Sequence, residues 1–262
     1  SGTTDTFTVV LDAQPTSDVV LTVTSDDTGE ATVPANITFT PVNWDTPQTV
    51  TVTGVDEDIV DGTVTSTITI AVDDANSEDD FDAVADQTVS VDTTDDDVAG
   101  FTIVELDGAT AVDEAGSTDT FTVVLDAQPT SDVVLTVTSD DTSEATVNSP
   151  LTFTPINWDT PQTVTVTGAD DSIIDGTTTS TITIAVDDAN SDNDFDAVAD
   201  KTVSVDTTDD DVAGFTIVEL DGSTEVDESG TTDTFTIVLD AEPATDVVLT
   251  ITSDATGEAT VP

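Results

Sequence analysis

Four acidic loops between residues 101 and 214 hold the side chains able to do chemistry. They are Val112-Asp-Glu-Ala-Gly116, Ser139-Asp-Asp-Thr142, Gly168-Ala-Asp-Asp-Ser-Ile-Ile-Asp-Gly176 and Thr208-Asp-Asp-Asp-Val212. Carboxylates are the chemistry on offer. The 262 residues include 57 Asp plus Glu, a single basic residue (Lys201), no His and no Cys, for a formal charge of −56. One lysine cannot neutralise such clusters, so each clustered carboxylate is solvated, protonated or bound to a cation. Oxygen-only clusters suit hard cations. Calcium accepts roughly six to eight oxygens in flexible geometry, whereas magnesium keeps most of its waters. Plain solvated charge is the alternative and needs no ion.

The same composition excludes other chemistries. Nucleic acid and anionic membrane surfaces need Lys and Arg to bind. Disulfides, thiolate sites, His-ligated zinc and Ser-His or Cys-His nucleophiles are impossible without Cys and His. No apolar run approaches the roughly 18 residues of a membrane span, so no membrane insertion is expected here. The chain opens on no charged-then-apolar leader and has no Met, which reads as a piece of something longer. An enzyme would have to work with carboxylates alone, as glycosidases do. No cofactor motif or lid accompanies them, so no catalysis is expected.

Strands must position these loops. Apolar residues alternate with Thr, as in Thr120-Phe121-Thr122-Val123 and Thr181-Ile182-Thr183-Ile184, the period of a half-buried strand. Strands are expected near 101–105, 118–126, 132–139, 151–154, 162–168, 178–187 and 201–207. Turn signals at Gln128-Pro129, Asn148-Ser-Pro150 and Asp175-Gly176 separate them at sandwich spacing. The pattern repeats every 114 residues: residues 1–100 match 115–214 at 84 of 100 positions, and 215–262 match 101–148 at 36 of 48. A period of that size is a domain, not a solenoid coil. The organisation expected is a repeat lacking its first strand over 1–100, a complete repeat over 101–214 and the N-terminal part of a third over 215–262. The fold class is all-β, tandem seven-strand immunoglobulin-like sandwiches stacked end to end as a rod across very short linkers such as Val98-Ala99-Gly100. Strands alternate direction, so the loops after the third, fifth and seventh strands gather at one tip with the end of the first. Glu114, Asp140, Asp170, Asp171, Asp175 and Asp209, Asp210 and Asp211 are expected to meet there.

These motifs are similar to the Calx-β domain family. The carrying residues are Glu114-Ala-Gly116, the Asp170-Asp-x-x-x-Asp175 segment and Thr207-Thr-Asp-Asp-Asp211 before the next unit. The resemblance implies calcium, several ions per repeat, at the C-terminal tip of each sandwich. It gives ligand roles to Glu114, Asp140 or Asp141, Asp171, Asp175 and Asp209 to Asp211. In the first unit the equivalents are Asp26, Asp56, Glu57, Asp61, Asp95, Asp96 and Asp97, and in the third Glu228 and Asp254. The family's usual Asp-Gly-Thr-Ala after the third strand is replaced here by Ser139-Asp-Asp-Thr-Ser143. Asp141 becomes Ala255 in the third unit, which favours Asp140, and Asp58 becomes Ser172, which argues against Asp58.

A second cluster, Asp188, Asn190, Asp192 and Asp194, spaces its oxygens like a calcium loop but lacks the glycine and the closing Glu of one. A solvated acidic loop is the favoured reading. Trp158 reads as a core or rim aromatic rather than a sugar platform. Lys201 becomes Gln87 in the first unit, so the repeats do not depend on an isopeptide bond. The pattern resembles tandem arrays of bacterial surface adhesins and extracellular filaments. It implies an extracellular or cell-surface stalk rigidified by calcium near domain junctions, whose partners are further copies of the repeat and laterally associated rods. A calcium-dependent protein- or glycan-binding adhesion module is the alternative.

Overall fold

A computed structural model describes residues 2–106 and 108–261. Eighteen strands run through them: β1 (Thr4–Val9), β2 (Val19–Ser25), β3 (Ala31–Thr32), β4 (Asn36–Phe39), β5 (Gln48–Gly54), β6 (Thr63–Val72), β7 (Gln87–Thr94), β8 (Phe101–Glu105), β9 (Thr110–Asp113), β10 (Thr118–Leu125), β11 (Val133–Ser139), β12 (Ala145–Val147), β13 (Leu151–Phe153), β14 (Gln162–Gly168), β15 (Thr178–Val186), β16 (Lys201–Thr208), β17 (Phe215–Glu219) and β18 (Phe235–Leu239). Single 3₁₀ turns at Asp79–Phe81, Asp188–Asn190 and Asn193–Phe195 are the only helical pieces among the described residues.

Residues 101–214 fold as two facing sheets, ordered β12-β14-β10-β8 and β13-β11-β15-β16-β9. The inward positions of the alternating pattern fill the space between them. Phe101, Phe121, Phe153 and Phe195 are fully buried with Leu135, Ile182 and Ile184, and outward positions are largely Thr, which suits a pleated surface. The all-β sandwich expected from the alternation is the fold observed. It has nine strands rather than seven, because two short ones, β9 and β12, come from tertiary pairing. β9 runs parallel to β16, with Asp113 opposite Thr208, and β12 runs antiparallel to β14.

Two glycines are required by that arrangement. A Cβ on Gly168, the last residue of β14, would lie 1.9 Å from the Asp113 carbonyl oxygen, so only Gly lets β14 and β9 meet. Gly176, at φ +81, makes the left-handed turn that aims its amide at Asp209.

Among the described residues the first unit repeats the layout without counterparts of β8 and β9. Its sheets are β1-β5-β3 and β4-β2-β6-β7. The uncovered flank is a groove lined by Phe7, Leu21, Ile70, Phe81 and Val89. Among the described residues of the third unit, β17 and β18 form the one sheet.

Candidate metal centre

The parallel pairing of β9 with β16 builds the site. Asp113 sits opposite Thr208, and the Glu114 amide donates to the Thr208 carbonyl at 3.0 Å. The next step along each strand therefore sets Glu114 beside Asp209. Gly116, at φ +88, turns the chain away immediately afterwards. Glu114 is only 1% exposed and Glu144, just before β12, 4%. Oxygens of Glu114, Glu144 and Asp175 lie within 4.8 Å of one another, as do oxygens of Glu114, Asp209 and Asp211. Glu114 belongs to both groups and joins two cation-sized nests.

Three buried oxygens in this cluster, Glu114 Oε2, Glu144 Oε2 and Asp211 Oδ2, have no hydrogen-bond partner. A buried carboxylate oxygen left that way costs folding free energy. The chain's one basic side chain does not supply the missing partner: Lys201 Nζ donates to the Phe101 carbonyl and sits over the Phe101 ring. Burial, then the neighbouring charges of Asp175, Asp209, Asp171 and Glu144, pushes the Glu114 carboxyl up to about 7. Burial followed by Asp175 and Asp141 raises Glu144 as well. Asp209 moves the other way. The Gly176 amide at 3.0 Å, the Asp211 amide at 2.7 Å and the Asp175 amide at 3.1 Å hold it below the usual range. One carboxylate is thus anchored as an anion among protonatable neighbours, an arrangement that a divalent cation relieves. Carboxylate oxygens each about 2.4 Å from a shared calcium ion lie at most about 4.8 Å apart, so the donor set fits that ion.

In the first unit the corresponding group is Glu30, Glu57 and Asp61. Burial, then Glu30 and Asp61, pushes Glu57 up to about 7. Asp95 repeats the anchoring of Asp209, accepting from Asp61, Gly62 and Asp97 amides.

Of the residues expected from sequence, the structure gathers Glu114, Asp175, Asp209 and Asp211, and in the first unit Glu57 and Asp61. Asp170 and Asp171 lie close enough to raise Asp211, and the Asp171 carboxylate accepts the Ile173 amide at 2.6 Å. Asp210 adds its charge beside Asp211, and Asp96 and Asp56 do so beside Asp97. Asp140 braces the sheet, accepting the Thr181 amide at 2.7 Å, and Asp26 does the same with Thr67. Glu228 and Asp254 are exposed in the third unit, where no such group forms among the described residues. Glu144 and Glu30 were missed. Their signal is a Glu directly before Ala-Thr-Val, the start of the short strand that alternation overlooked.

In the second cluster, Asp192 is 5% exposed. Its carboxylate accepts from Thr130 Oγ1 at 2.7 Å, the Ser131 amide at 2.7 Å and the Asp194 amide at 3.2 Å. Asp188, Asn190 and Asp194 are exposed, and Asn190 donates to Asp187 at 2.9 Å. Asp192 therefore ties this loop to the 130–131 turn. Trp158 is half-buried against the core, and its carbonyl accepts the Leu125 amide.

No family model matches the chain, and no curated protein sequence does. Solved structures similar to it include domains 4 and 5 of the S-layer protein SbsC, at 21% identity over 72% of this chain and 76% of that one, with a TM-score of 0.34. The S-layer protein rSbsC(31-844) is 17% identical over 84% of this chain, with a TM-score of 0.35, and this chain spans 28% of its length. The calcium binding domain CBD12 of CALX1.1 is 13% identical over 70% of this chain and 73% of that one, with a TM-score of 0.27.

Proposed function

We propose that the chain is a segment of an extracellular structural array, the stalk or filament of a cell-surface or adhesin protein, built from calcium-closed sandwiches. The units are 1–100, 101–214 and 215–262, set in series as a rod. The observation that carries this reading is the pair of buried, unpartnered oxygens on Glu114 and Glu144, converging in a chain whose single basic side chain lies elsewhere. Bound calcium would supply the positive charge that these carboxylates lack. The chain's own part is to hold them: β9 and β16 fix Glu114 beside Asp209, Gly176 anchors Asp209, and β12 presents Glu144. Extracellular calcium modules work with dissociation constants of about 10⁻⁴–10⁻³ M, which suits partly exposed loops of this kind. Near identity between units favours a repeated spacer, because a dedicated ligand site needs one copy. The partners are further copies of the repeat, with lateral association through ions between acidic faces. No catalytic role is proposed.

Titration calorimetry of the full chain tests the reading. Calcium should bind with heat at more than one site, magnesium far more weakly, and Glu114→Gln should remove part of the calcium heat. Equal, nonspecific heats for both ions, unchanged by Glu114→Gln, would overturn it.

A further inference from the structure

The loop that carries the first unit's metal group also reaches into the second unit. Glu57 and Asp61 belong to the metal group, and the three residues between them make the contact. The Val60 amide donates to the Gln128 carbonyl at 3.0 Å, and the Gln128 amide donates to the Asp58 carbonyl at 2.7 Å. These bonds place Ile59 opposite Gln128 in a parallel bridge between units. Val60 packs against the hydrophobic core of the second sandwich. At the next junction the same positions meet again: Ile173 bridges Glu242, and the Glu242 amide donates to the Ser172 carbonyl. Ile173 there lies between Asp171 and Asp175.

The receiving turn is built in advance. Gln128 Nε2 donates to the Pro155 carbonyl at 2.9 Å, and Gln14 Nε2 makes the same bond to Pro41 at 2.8 Å in the first unit. Nothing docks on the first unit's turn among the described residues, and Ala13 and Gln14 are exposed. Ala127, in the identical sequence Asp-Ala-Gln-Pro, is 1% exposed with the preceding loop against it.

We propose that each metal-ligand loop is also a plug, and the turn at Asp12–Pro15, Asp126–Pro129 and (with Glu242 in place of the Gln) Asp240–Pro243 its socket, so that cation binding in one repeat sets the seating of the next. This rests on the calcium reading above and names the contact through which it acts. Ligands at 57 and 61 bracket the plug at 58–60, so closing the loop on a cation removes its freedom exactly where it enters the neighbour. The open turn at Ala13–Gln14 is the socket for the same plug from another copy of the repeat.

Hydrogen exchange on the full chain, read by mass spectrometry, tests this. Peptides 4–17 and 118–131 have one sequence, so Thr8→Ser, at an exposed position, gives the first unit's peptide its own mass. Calcium should slow exchange of the Gln128 amide in 118–131 by about 5- to 150-fold and leave 4–17 unslowed at Gln14. Asp61→Asn should abolish the slowing at Gln128 while the second unit still binds calcium. Val60→Ser should abolish it with calcium binding intact in both units. Calcium binding without slowing at Gln128, slowing that persists in both variants, or equal slowing at Gln14 would overturn the plug and leave the calcium sites standing. Absence of any calcium binding would overturn both.

Discussion

The described sandwiches differ by the segment 101–114, which precedes the shared sequence in the second. In residues 101–214, β8 and β9 close the flank, and Phe121, Val123, Leu125 and Phe195 are fully or almost fully buried. In the first unit the equivalents Phe7, Val9, Leu11 and Phe81 are only partly buried and border an open groove. The same opening segment delivers Glu114, so among the described residues the second unit gathers two metal groups sharing one carboxylate and the first gathers one. Core closure and site completion thus depend on a single stretch of about fourteen residues.

The largest effect expected from this contrast lies in the core. Phe121→Ala should destabilise the second unit by about 3–5 kcal/mol, whereas Phe7→Ala should cost the first about 1–2 kcal/mol. Urea unfolding reads the units separately, because each has one tryptophan: Trp44→Phe leaves Trp158 as reporter, and Trp158→Phe leaves Trp44. Equal losses would contradict the contrast.

Gly168→Ala should follow, at about 1–3 kcal/mol, since its Cβ would strike Asp113. Gly54→Ala at the matching position should be close to neutral, because the nearest atom to that Cβ is 3.6 Å away. The same fluorescence melts decide it, and a costly Gly54→Ala would show that something other than β9 constrains the site.

Next comes the shared carboxylate. Glu114→Gln should weaken calcium binding in the second unit by about 10- to 100-fold and leave the first unit's affinity unchanged, while Glu57→Gln should do the reverse. Without calcium near neutral pH, each substitution should raise the melting temperature of its own unit, because it removes a carboxylate crowded by like charges.

The smallest effect is pH dependence. Glu114 and Glu57 have carboxyls raised from the ordinary 4.5 to about 7. The folded chain then holds these protons more tightly than the unfolded one. Their contribution is full below about pH 4.5 and is lost as pH rises through about 7. Asp209, held low, opposes this only at more acid pH. The calcium-free melting temperature should therefore fall across that window, and calcium affinity should rise across it. A flat calcium-free profile would contradict the raised carboxyls.

Period-two alternation made the long strands legible, since Val, Ile and Phe alternate with Thr wherever one face is buried. The short strands Thr110–Asp113 and Ala145–Val147 left no such trace, because their identity comes from partners distant in sequence. That is why Glu144 escaped notice while Glu114, beside its turn glycine, did not. Asp140 carries the right charge in the right loop, and one of its carboxylate oxygens accepts the Thr181 amide. Spacing identifies a loop but does not fix which carboxylates turn inward.

The most direct measurement is calorimetric melting of the full chain without divalent ions, with millimolar calcium, and with magnesium at matched ionic strength. Ligands that bind only the folded state raise its stability with concentration. A large, calcium-specific rise in melting temperature, diminished in Glu114→Gln, is the predicted result. Superimposable melts in all three conditions would mean that the acidic tips are solvated charge and that calcium plays no part in holding the sandwiches together.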